Sequence, residues 1–279
     1  MHICIIFSTQ FPPCEGIGNY VYNLSKKLIE YGHEVTLITR GKLRSKLENS
    51  EDLRIYRVTF FPIYPLHVHF HGLFVNRIFK RIEKDCDVVH IHTPLPPIIT
   101  TKRPIITTFH TPMKTDTRTF ESTGLYSHLS KAQSVVSYII EKELLKKSDF
   151  VTAVSRMVAQ ELIREYGISK KQVEVVYNGV DEKMFSPSGG EGQYILYVGR
   201  LAYRKGLFDL VESARYVCNE YPSTRFVIVG DGVLKHKIQK KVQHLGLKNN
   251  FIFKGFVSKN DLIDLYRNAA IQVIPSHYE

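Results

Sequence analysis

The 279-residue chain is 43% hydrophobic and 23% charged, which predicts a globular protein with a sizeable core and excludes disorder. No apolar run reaches the length that crosses a bilayer, so the sequence excludes a membrane-embedded protein. The formal net charge of +11 favours anionic partners, namely nucleotide phosphates, nucleic acid or an acidic membrane face, although a basic solvated surface accounts for it too.

The first residues and the cysteines predict a cytoplasmic protein. Residues 1–8 lack the basic start and the long apolar stretch of a secretory signal. The four cysteines are scattered and form no C-x-x-C pair. Neither structural zinc nor a disulfide scaffold is therefore expected.

Short apolar strands alternate with helical patterns through residues 1–185. The predicted strands cover residues 2–7, 33–39, 53–59, 88–92, 105–109 and 150–154. The predicted helices cover residues 17–31, 125–147 and 156–165. Such alternation predicts an α/β domain with a parallel sheet that helices cover on both faces.

A segment rich in Ser, Pro and Gly then interrupts the pattern, and we interpret residues 186–193 as a linker. After it, strands are predicted at 194–198, 225–229, 251–254 and 271–275, with helices at 207–221, 233–245 and 261–268. The sequence thus predicts two doubly wound domains, residues 1–185 and 194–279, with a ligand cleft between them.

Two loops could bind phosphate. Gly16 and Gly18 follow the first strand, where glycines let backbone N–H groups approach an anion, but Val21 takes the third glycine position of the dinucleotide fingerprint. A tight turn explains this loop equally well. In the second domain, Arg200 ends a strand and Lys205 precedes a helix. These two residues are either a diphosphate clamp or a pair of solvated cations.

Other clusters allow more than one interpretation. The H-x-H-x-H pattern of residues 67–71 would place three imidazoles on one side of a strand, as in a metal site, but an exposed loop is the preferred interpretation. Residues 68–84 mix apolar and basic side chains, which suits either a helix packed on the first domain or a segment on an anionic membrane. His90 and His92 are interpreted as hydrogen-bonding cleft residues, and the D-x-D of residues 85–87 as a helix end and strand start.

Several motifs occur in an order that resembles the family 4 glycosyltransferases. They are PPCEGIG at 12–18, GHEV at 32–35, DVVH at 87–90, TTFH at 107–110, VS at 154–155, NGVD at 178–181, VGR at 198–200, KG at 205–206, VGDG at 229–232 and PSHYE at 275–279. Each motif alone is weak, but the ordered set runs from end to end of the chain. The resemblance implies the GT-B arrangement of two Rossmann-like domains.

The resemblance also implies an activity and a set of site residues. The activity is retaining, metal-independent transfer of a sugar from a nucleotide-diphosphate-sugar to a glycan, lipid or small-molecule acceptor, with no cofactor besides the donor. Cations and oriented amides would stabilise the leaving diphosphate. The implied catalytic residues are His110, near the donor sugar, and Glu279, which would contact it. The implied donor-binding residues are Gly16, Gly18, Arg200, Lys205 and the main chain near Val257.

The sequence departs from the family pattern at two places. Glu15 stands where the family has the first glycine of a pair. Glu279 matches the first carboxylate of an E-x7-E signature, so we expect the second domain to be incomplete, the activity of this chain to be weak, and the chain to self-associate. Two rival functions are an NADP-dependent oxidoreductase, with Arg40 on the 2′-phosphate, and a non-catalytic membrane- or anion-binding module. Nucleic acid is not expected as a partner.

Overall fold

The computed structural model describes residues 1–12, 16–42, 45–50, 53–63, 66–116, 125–186, 189–190 and 192–277. The chain forms two compact units, Met1–Asn178 and Gly179–Glu279. Each unit contains its own sheet and its own hydrophobic clusters.

The first unit is built on an eight-stranded sheet in the order β3-β4-β2-β1-β5-β6-β7-β8. All neighbours pair in parallel except the antiparallel pair β3 and β4. Every residue of β1 is buried, as expected for a central strand covered on both faces. The strands are β1 (His2–Ile6), β2 (Glu34–Arg40), β3 (Lys46–Ser50), β4 (Leu53–Val58), β5 (Val88–His92), β6 (Ile105–Phe109), β7 (Phe150–Ala153) and β8 (Val173–Val175).

Five helices accompany this sheet in the described residues. They are α1 (Gly16–Glu30), α2 (His67–Ile82), α3 (Met113–Asp116), α4 (Leu125–Lys147) and α5 (Arg156–Tyr166). The α5 helix shows why the boundaries fall where they do: the Ser155 hydroxyl accepts from Val158 N at 3.1 Å, and the helix ends at Gly167 in the left-handed conformation. Within the described residues, no helix is both long enough and apolar enough to span a membrane.

The second unit has a parallel four-stranded sheet in the order β11-β10-β9-β12. Phe226 and Phe251 stack at 4.9 Å between ring centroids and join two neighbouring strands within its main hydrophobic cluster. The strands are β9 (Tyr194–Val198), β10 (Phe226–Val229), β11 (Phe251–Gly255) and β12 (Ala269–Gln272), and the helices are α6 (Leu207–Glu220), α7 (Lys235–His244) and α8 (Lys259–Arg267).

The structure confirms the mixed α/β fold and the predicted alternation of strands and helices, with two corrections. The H-x-H-x-H segment is neither strand nor exposed loop, because it forms the first turns of α2. His67 and His71 are buried on one face of that helix, four residues apart, while His69 is exposed. The short edge strand β3 is polar and was missed, since it has no apolar alternation to reveal it.

The first unit ends at Asn178, earlier than the end at residue 185 that the sequence predicts for the first domain. Contacts explain the difference. The Arg267 guanidinium donates hydrogen bonds to the carbonyls of Met184 and Ser186, and the Phe185 ring packs edge-on against Tyr266. This segment is therefore held by α8 of the second unit.

Candidate active site

The carboxyl ends of neighbouring strands in the first unit bring a histidine cluster together. His92 is the last residue of β5, and His110 directly follows the adjacent strand β6. Tyr20 reaches the same edge from α1, which follows β1. We refer to His90, His92, His110 and Tyr20 as the histidine cluster.

Direct contacts define its geometry. The Nδ1 atom of His92 lies 3.1 Å from Nε2 of His110, a hydrogen-bond distance. The ring centroids of His90 and His92 lie 4.2 Å apart. Tyr20 makes T-shaped ring contacts with His92 and His110, at 5.6 and 4.9 Å between centroids. The other side of the cluster is held by Thr108, whose hydroxyl lies 2.8 Å from His90 Nε2.

Burial keeps these imidazoles neutral. Desolvation lowers the pKa of His110 to about 4. Desolvation, followed by repulsion from His110, lowers that of His90 to about 4. The pKa of His92, which is fully buried, lies well below its ordinary value for the same reason. At neutral pH the cluster therefore offers hydrogen-bond donors and acceptors rather than positive charge.

Sequence reasoning found the three histidines but missed Tyr20. The resemblance singled out His110, and the strand ends indicated His90 and His92. Tyr20 falls at an apolar position of the helix predicted for residues 17–31, and no local signal distinguishes it from Leu24 or Leu28. Its role depends on α1 following the central strand, which is a feature of the fold.

The predicted phosphate-binding glycines, Gly16 and Gly18, lie at the start of α1, at the same edge of the sheet. Helix α1 begins at exposed Gly16, and Gly18 is buried two residues further on. A Cβ atom placed on Gly16 would meet nothing within 4 Å, so internal packing does not require a glycine there. Glu15 lies outside the described residues.

In the second unit, three glycines let the loops at the carboxyl edge pack backbone to backbone. A Cβ atom on Gly206, where φ is +63°, would lie 1.9 Å from the Pro275 carbonyl oxygen. A Cβ atom on Gly230 would lie 2.1 Å from the carbonyl oxygen of Gly199, and one on Gly232 2.4 Å from that of Leu201. These approaches make the edge a tightly held platform.

The two predicted cations lie on this platform. Arg200 is exposed just beyond β9, and its guanidinium has no hydrogen bond or ion pair with the described residues. Lys205 ends a 3₁₀ turn, and Gly206 follows it as the N-cap of α6. Both cations therefore flank a helix N-terminus, where backbone N–H groups and the helix dipole favour an anion.

The nearby carboxylate of Asp231 is already paired. Its oxygens accept hydrogen bonds from Gly232 N at 2.7 Å and Lys235 Nζ at 2.8 Å, and the Lys235 bond is the main cause of its lowered pKa. The charge of Asp231 is thus balanced by Lys235.

Two further predicted site residues are Val257 and Glu279. Val257 is half-buried against the cluster of Leu196, Val227 and Val229, next to the exposed Phe256, so a ligand contact there is expected from the main chain. Glu279 lies outside the described residues.

The D-x-D interpretation is confirmed: Asp85 ends a 3₁₀ turn, and Asp87 accepts a hydrogen bond from His2 N at 2.8 Å at the start of the sheet. Among the described side chains, no group of three His, Cys, Asp or Glu residues is arranged to hold a metal ion.

Comparison with known proteins connects both units to sugar transfer. The model of Glycosyltransferase Family 4 matches residues 15–183, and that of Glycosyl transferases group 1 matches residues 181–279. An uncharacterised glycosyltransferase of Methanocaldococcus jannaschii is 27% identical over 97% of this chain and 73% of its own length. Mannosylfructose-phosphate synthase of Agrobacterium fabrum is 26% identical over 93% of this chain and 66% of its own length.

Solved structures share the fold. Sucrose-phosphate synthase from Thermosynechococcus elongatus covers 100% of this chain and 76% of its own, with a TM-score of 0.79 and 20% identity. The lipopolysaccharide glycosyltransferase WaaG covers the same shares, with a TM-score of 0.76 and 15% identity. The oxidoreductase alternative finds no support in these comparisons. The fold is that of the GT-B glycosyltransferases, and the chain belongs to glycosyltransferase family 4.

Proposed function

We propose that the chain transfers a sugar from a nucleotide-diphosphate-sugar to an acceptor, with retention and without a metal ion. The observation that carries this proposal is the platform of the second unit. Exposed Arg200 and half-buried Lys205 flank the N-terminus of α6 on loops held by Gly206, Gly230 and Gly232. A diphosphate is the ligand that two cations and a helix N-terminus fit best.

The chemistry follows from the charge that develops on the leaving group. As the bond between sugar and diphosphate breaks, negative charge accumulates on the diphosphate. Fixed cations and backbone N–H groups stabilise that charge without reorganising, so neither an acid nor a metal is needed there. We assign Gly16 and Gly18 to the approach of the first unit's backbone to the donor, the main chain near Val257 to the base, and His110 to the reaction centre as a neutral hydrogen-bonding group.

Substitution of the two cations tests the donor site. Arg200→Ala or Lys205→Ala should each weaken binding of a nucleoside diphosphate by about 1.5–3 kcal/mol, the contribution of a hydrogen bond to a charged group. Isothermal titration calorimetry with a panel of nucleoside diphosphates and their free nucleosides measures this. Binding of the nucleoside should stay unchanged, because it lacks the phosphates.

Arg225→Ala is the matched control. Arg225 is an exposed arginine of the same unit, but it precedes β10 and so lies at the opposite edge of the sheet. Its loss removes the same charge and should leave affinity unchanged. Equal weakening by all three substitutions would show a diffuse charge effect and would contradict the clamp.

We further propose that the acceptor is a lipid, presented at an anionic membrane face that the chain contacts through α2. This helix packs into the first unit through one face, which includes Val75 and Phe79. Its opposite face carries exposed apolar residues toward the N-terminal end and exposed cations toward the C-terminal end. The face consists of Leu66, which directly precedes the helix, and Phe70, Leu73, Arg77, Lys80 and Arg81.

Exposure and spacing both support a membrane contact. Leu73 is 69% exposed, Leu66 47% and Phe70 38%. Adjacent exposed apolar side chains of this kind are typical of a surface that contacts a partner or a membrane. Spacings of three and four residues keep the apolar and basic residues on one stripe. Apolar side chains can enter the lipid boundary while the cations attract anionic headgroups, each by about 1 kcal/mol. Anionic lipids of the cytoplasmic leaflet make the inner face of the membrane the proposed location.

Vesicle co-sedimentation tests this contact. Phosphatidylcholine vesicles containing phosphatidylglycerol should bind the chain, and pure phosphatidylcholine vesicles should bind it weakly. Arg77→Glu with Lys80→Glu should reduce binding to the anionic vesicles at least tenfold, since two attractions become repulsions. Leu73→Ser should reduce it without changing its dependence on salt.

A charge-matched control lies on the second unit. Lys237→Glu with Lys240→Glu makes the same change on α7, whose exposed positions are all polar or charged. This variant should retain vesicle binding. Loss of vesicle binding in both double variants would show that net charge alone drives the binding. Sugar transfer to a soluble glycan, at a rate that vesicles do not change, would contradict a lipid acceptor.

Self-association is proposed for the second unit. Ile271 on the edge strand β12 is 57% exposed, and Ile274 just beyond it is 65% exposed. An apolar sheet edge favours pairing with another chain. Light scattering over a range of protein concentrations should detect it, and Ile271→Lys should weaken it.

A further inference from the structure

Within the histidine cluster, one contact decides what His110 can offer a ligand. The ring nitrogen Nε2 of His110 lies 3.1 Å from Nδ1 of His92, so it is engaged within the protein. The other nitrogen, Nδ1, is therefore the one left to serve a ligand. Both rings are neutral, which means that each carries one proton and that a single proton lies between them.

The position of that proton fixes both tautomers. If His92 donates from Nδ1, His110 accepts at Nε2 and must carry its own proton on Nδ1. If His110 donates from Nε2 instead, its Nδ1 is a bare acceptor and the proton of His92 moves to Nε2. The two arrangements make His110 either a donor or an acceptor toward a ligand.

Burial of His92 favours the first arrangement. His92 has no exposed surface, and its Nε2 atom has no hydrogen-bond partner among the described residues. A proton on that nitrogen would be a buried N–H with no acceptor, the kind of orphan that folded proteins avoid most strictly. A bare ring nitrogen at the same place is an unsatisfied acceptor, which is tolerated better.

We propose that His92 is a positioning residue that holds His110 as the Nδ1–H tautomer, so that His110 donates a hydrogen bond to a substrate oxygen. The neighbouring rings support this role. Tyr20 and His90 pack against His92, and Tyr20 also packs against His110, so the His92 ring cannot turn away to find another partner. The proposed function identifies this oxygen as one of the nucleotide-sugar, and that part of the inference rests on the proposed function.

Nitrogen NMR tests the tautomer without any activity. In the full chain labelled with ¹⁵N-histidine at neutral pH, long-range ¹H–¹⁵N spectra distinguish a protonated from a bare ring nitrogen. We expect His92 and His110 both to carry the proton on Nδ1, with Nε2 bare. A proton on Nε2 of His110 would overturn the inference, whatever the enzyme does.

Variants separate positioning from simple packing. His92→Phe keeps a ring but removes the hydrogen bond, so the His110 tautomer should become mixed. The kcat for transfer should then fall at least tenfold, while the affinity for a nucleoside diphosphate stays within twofold. His92→Gln can still donate to His110 and should restore part of kcat. The matched control His90→Phe changes the neighbouring ring, which makes no hydrogen bond to His110, and should leave the tautomer as it is.

The outcomes keep this inference apart from the proposed function. The expected tautomer with no transfer from any nucleotide-sugar would support the inference and contradict the function. Sugar transfer by a chain whose His110 carries its proton on Nε2 would support the function and contradict the inference. If His92→Phe does not fold, the wild-type spectrum and His92→Gln still decide the question.

Discussion

Lowering the pH from about 7.5 to about 5 should destabilise the first unit, because the folded chain keeps His90 neutral. Burial lowers its pKa from 6.5 to about 4. Between these values the unfolded chain binds a proton that the folded chain does not, so this contribution to stability is complete above pH 6.5 and is lost as the pH falls toward 4. At pH 5 proton binding to the unfolded chain lowers the folding equilibrium constant by a factor of roughly 30, or about 2 kcal/mol.

His90→Gln isolates this effect. Glutamine does not titrate, and its amide can still reach the Thr108 hydroxyl that lies 2.8 Å from His90 Nε2. Between the two pH values the variant should lose about 2 kcal/mol less stability than the wild type, although its stability at pH 7.5 can differ. His236→Gln, on the exposed side of α7 in the other unit, is the matched control.

Urea-dependent hydrogen exchange of the β5 amides measures the change, because these amides report unfolding of the first unit alone. The free energy of opening is compared at each pH after correction for the intrinsic exchange rate. Parallel pH dependences for wild type and His90→Gln would refute the reasoning, since they would mean that the folded chain protonates His90 as readily as the unfolded chain does.

Three further outcomes are expected. Gly206→Ala should destabilise the second unit by about 3 kcal/mol or more in thermal unfolding, because its Cβ atom would lie 1.9 Å from the Pro275 carbonyl oxygen. Gly246 has a similar positive φ, but a Cβ atom there would meet nothing within 4 Å, so Gly246→Ala should cost only about 1 kcal/mol of backbone strain. In urea denaturation, Phe79→Ala should cost about 3–5 kcal/mol because Phe79 is fully buried, and Phe70→Ala on the exposed face of the same helix should cost far less. Sugar transfer should persist in a strong chelator, and its loss with recovery on adding manganese or zinc would contradict the metal-independent proposal.

Much of the second unit's candidate site was predictable because its signals are local. An apolar run marks β9, and the cation after it must leave the carboxyl end of that strand. Lys205 and Gly206 precede a helical stripe, so their place at the N-terminus of α6 follows from the same few residues. The structure adds the close approach of Gly206 to Pro275, which joins segments far apart in the chain.

The H-x-H-x-H segment shows where local pattern fails. Residues two apart lie on one side of a strand, while residues four apart lie on one side of a helix, so His67 and His71 satisfy both periods. Tertiary contacts decide for the helix: His71 Nδ1 lies 3.0 Å from the Thr59 carbonyl oxygen, and the Phe60 ring packs edge-on against both imidazoles. Neither contact can be read from the segment itself.

By itself, the sequence determined the alternation of strands and helices, the family, and the cations that border α6, because periodicity and motif order are carried by neighbouring residues. The tertiary structure decided which of these residues meet. Tyr20, His92 and His110 come from three separate elements, and they touch only because the sheet places β5 beside β1 and β6 beside β5. Strand order is set by burial and pairing across the whole unit, so the partner of His110 appears only once the chain has folded.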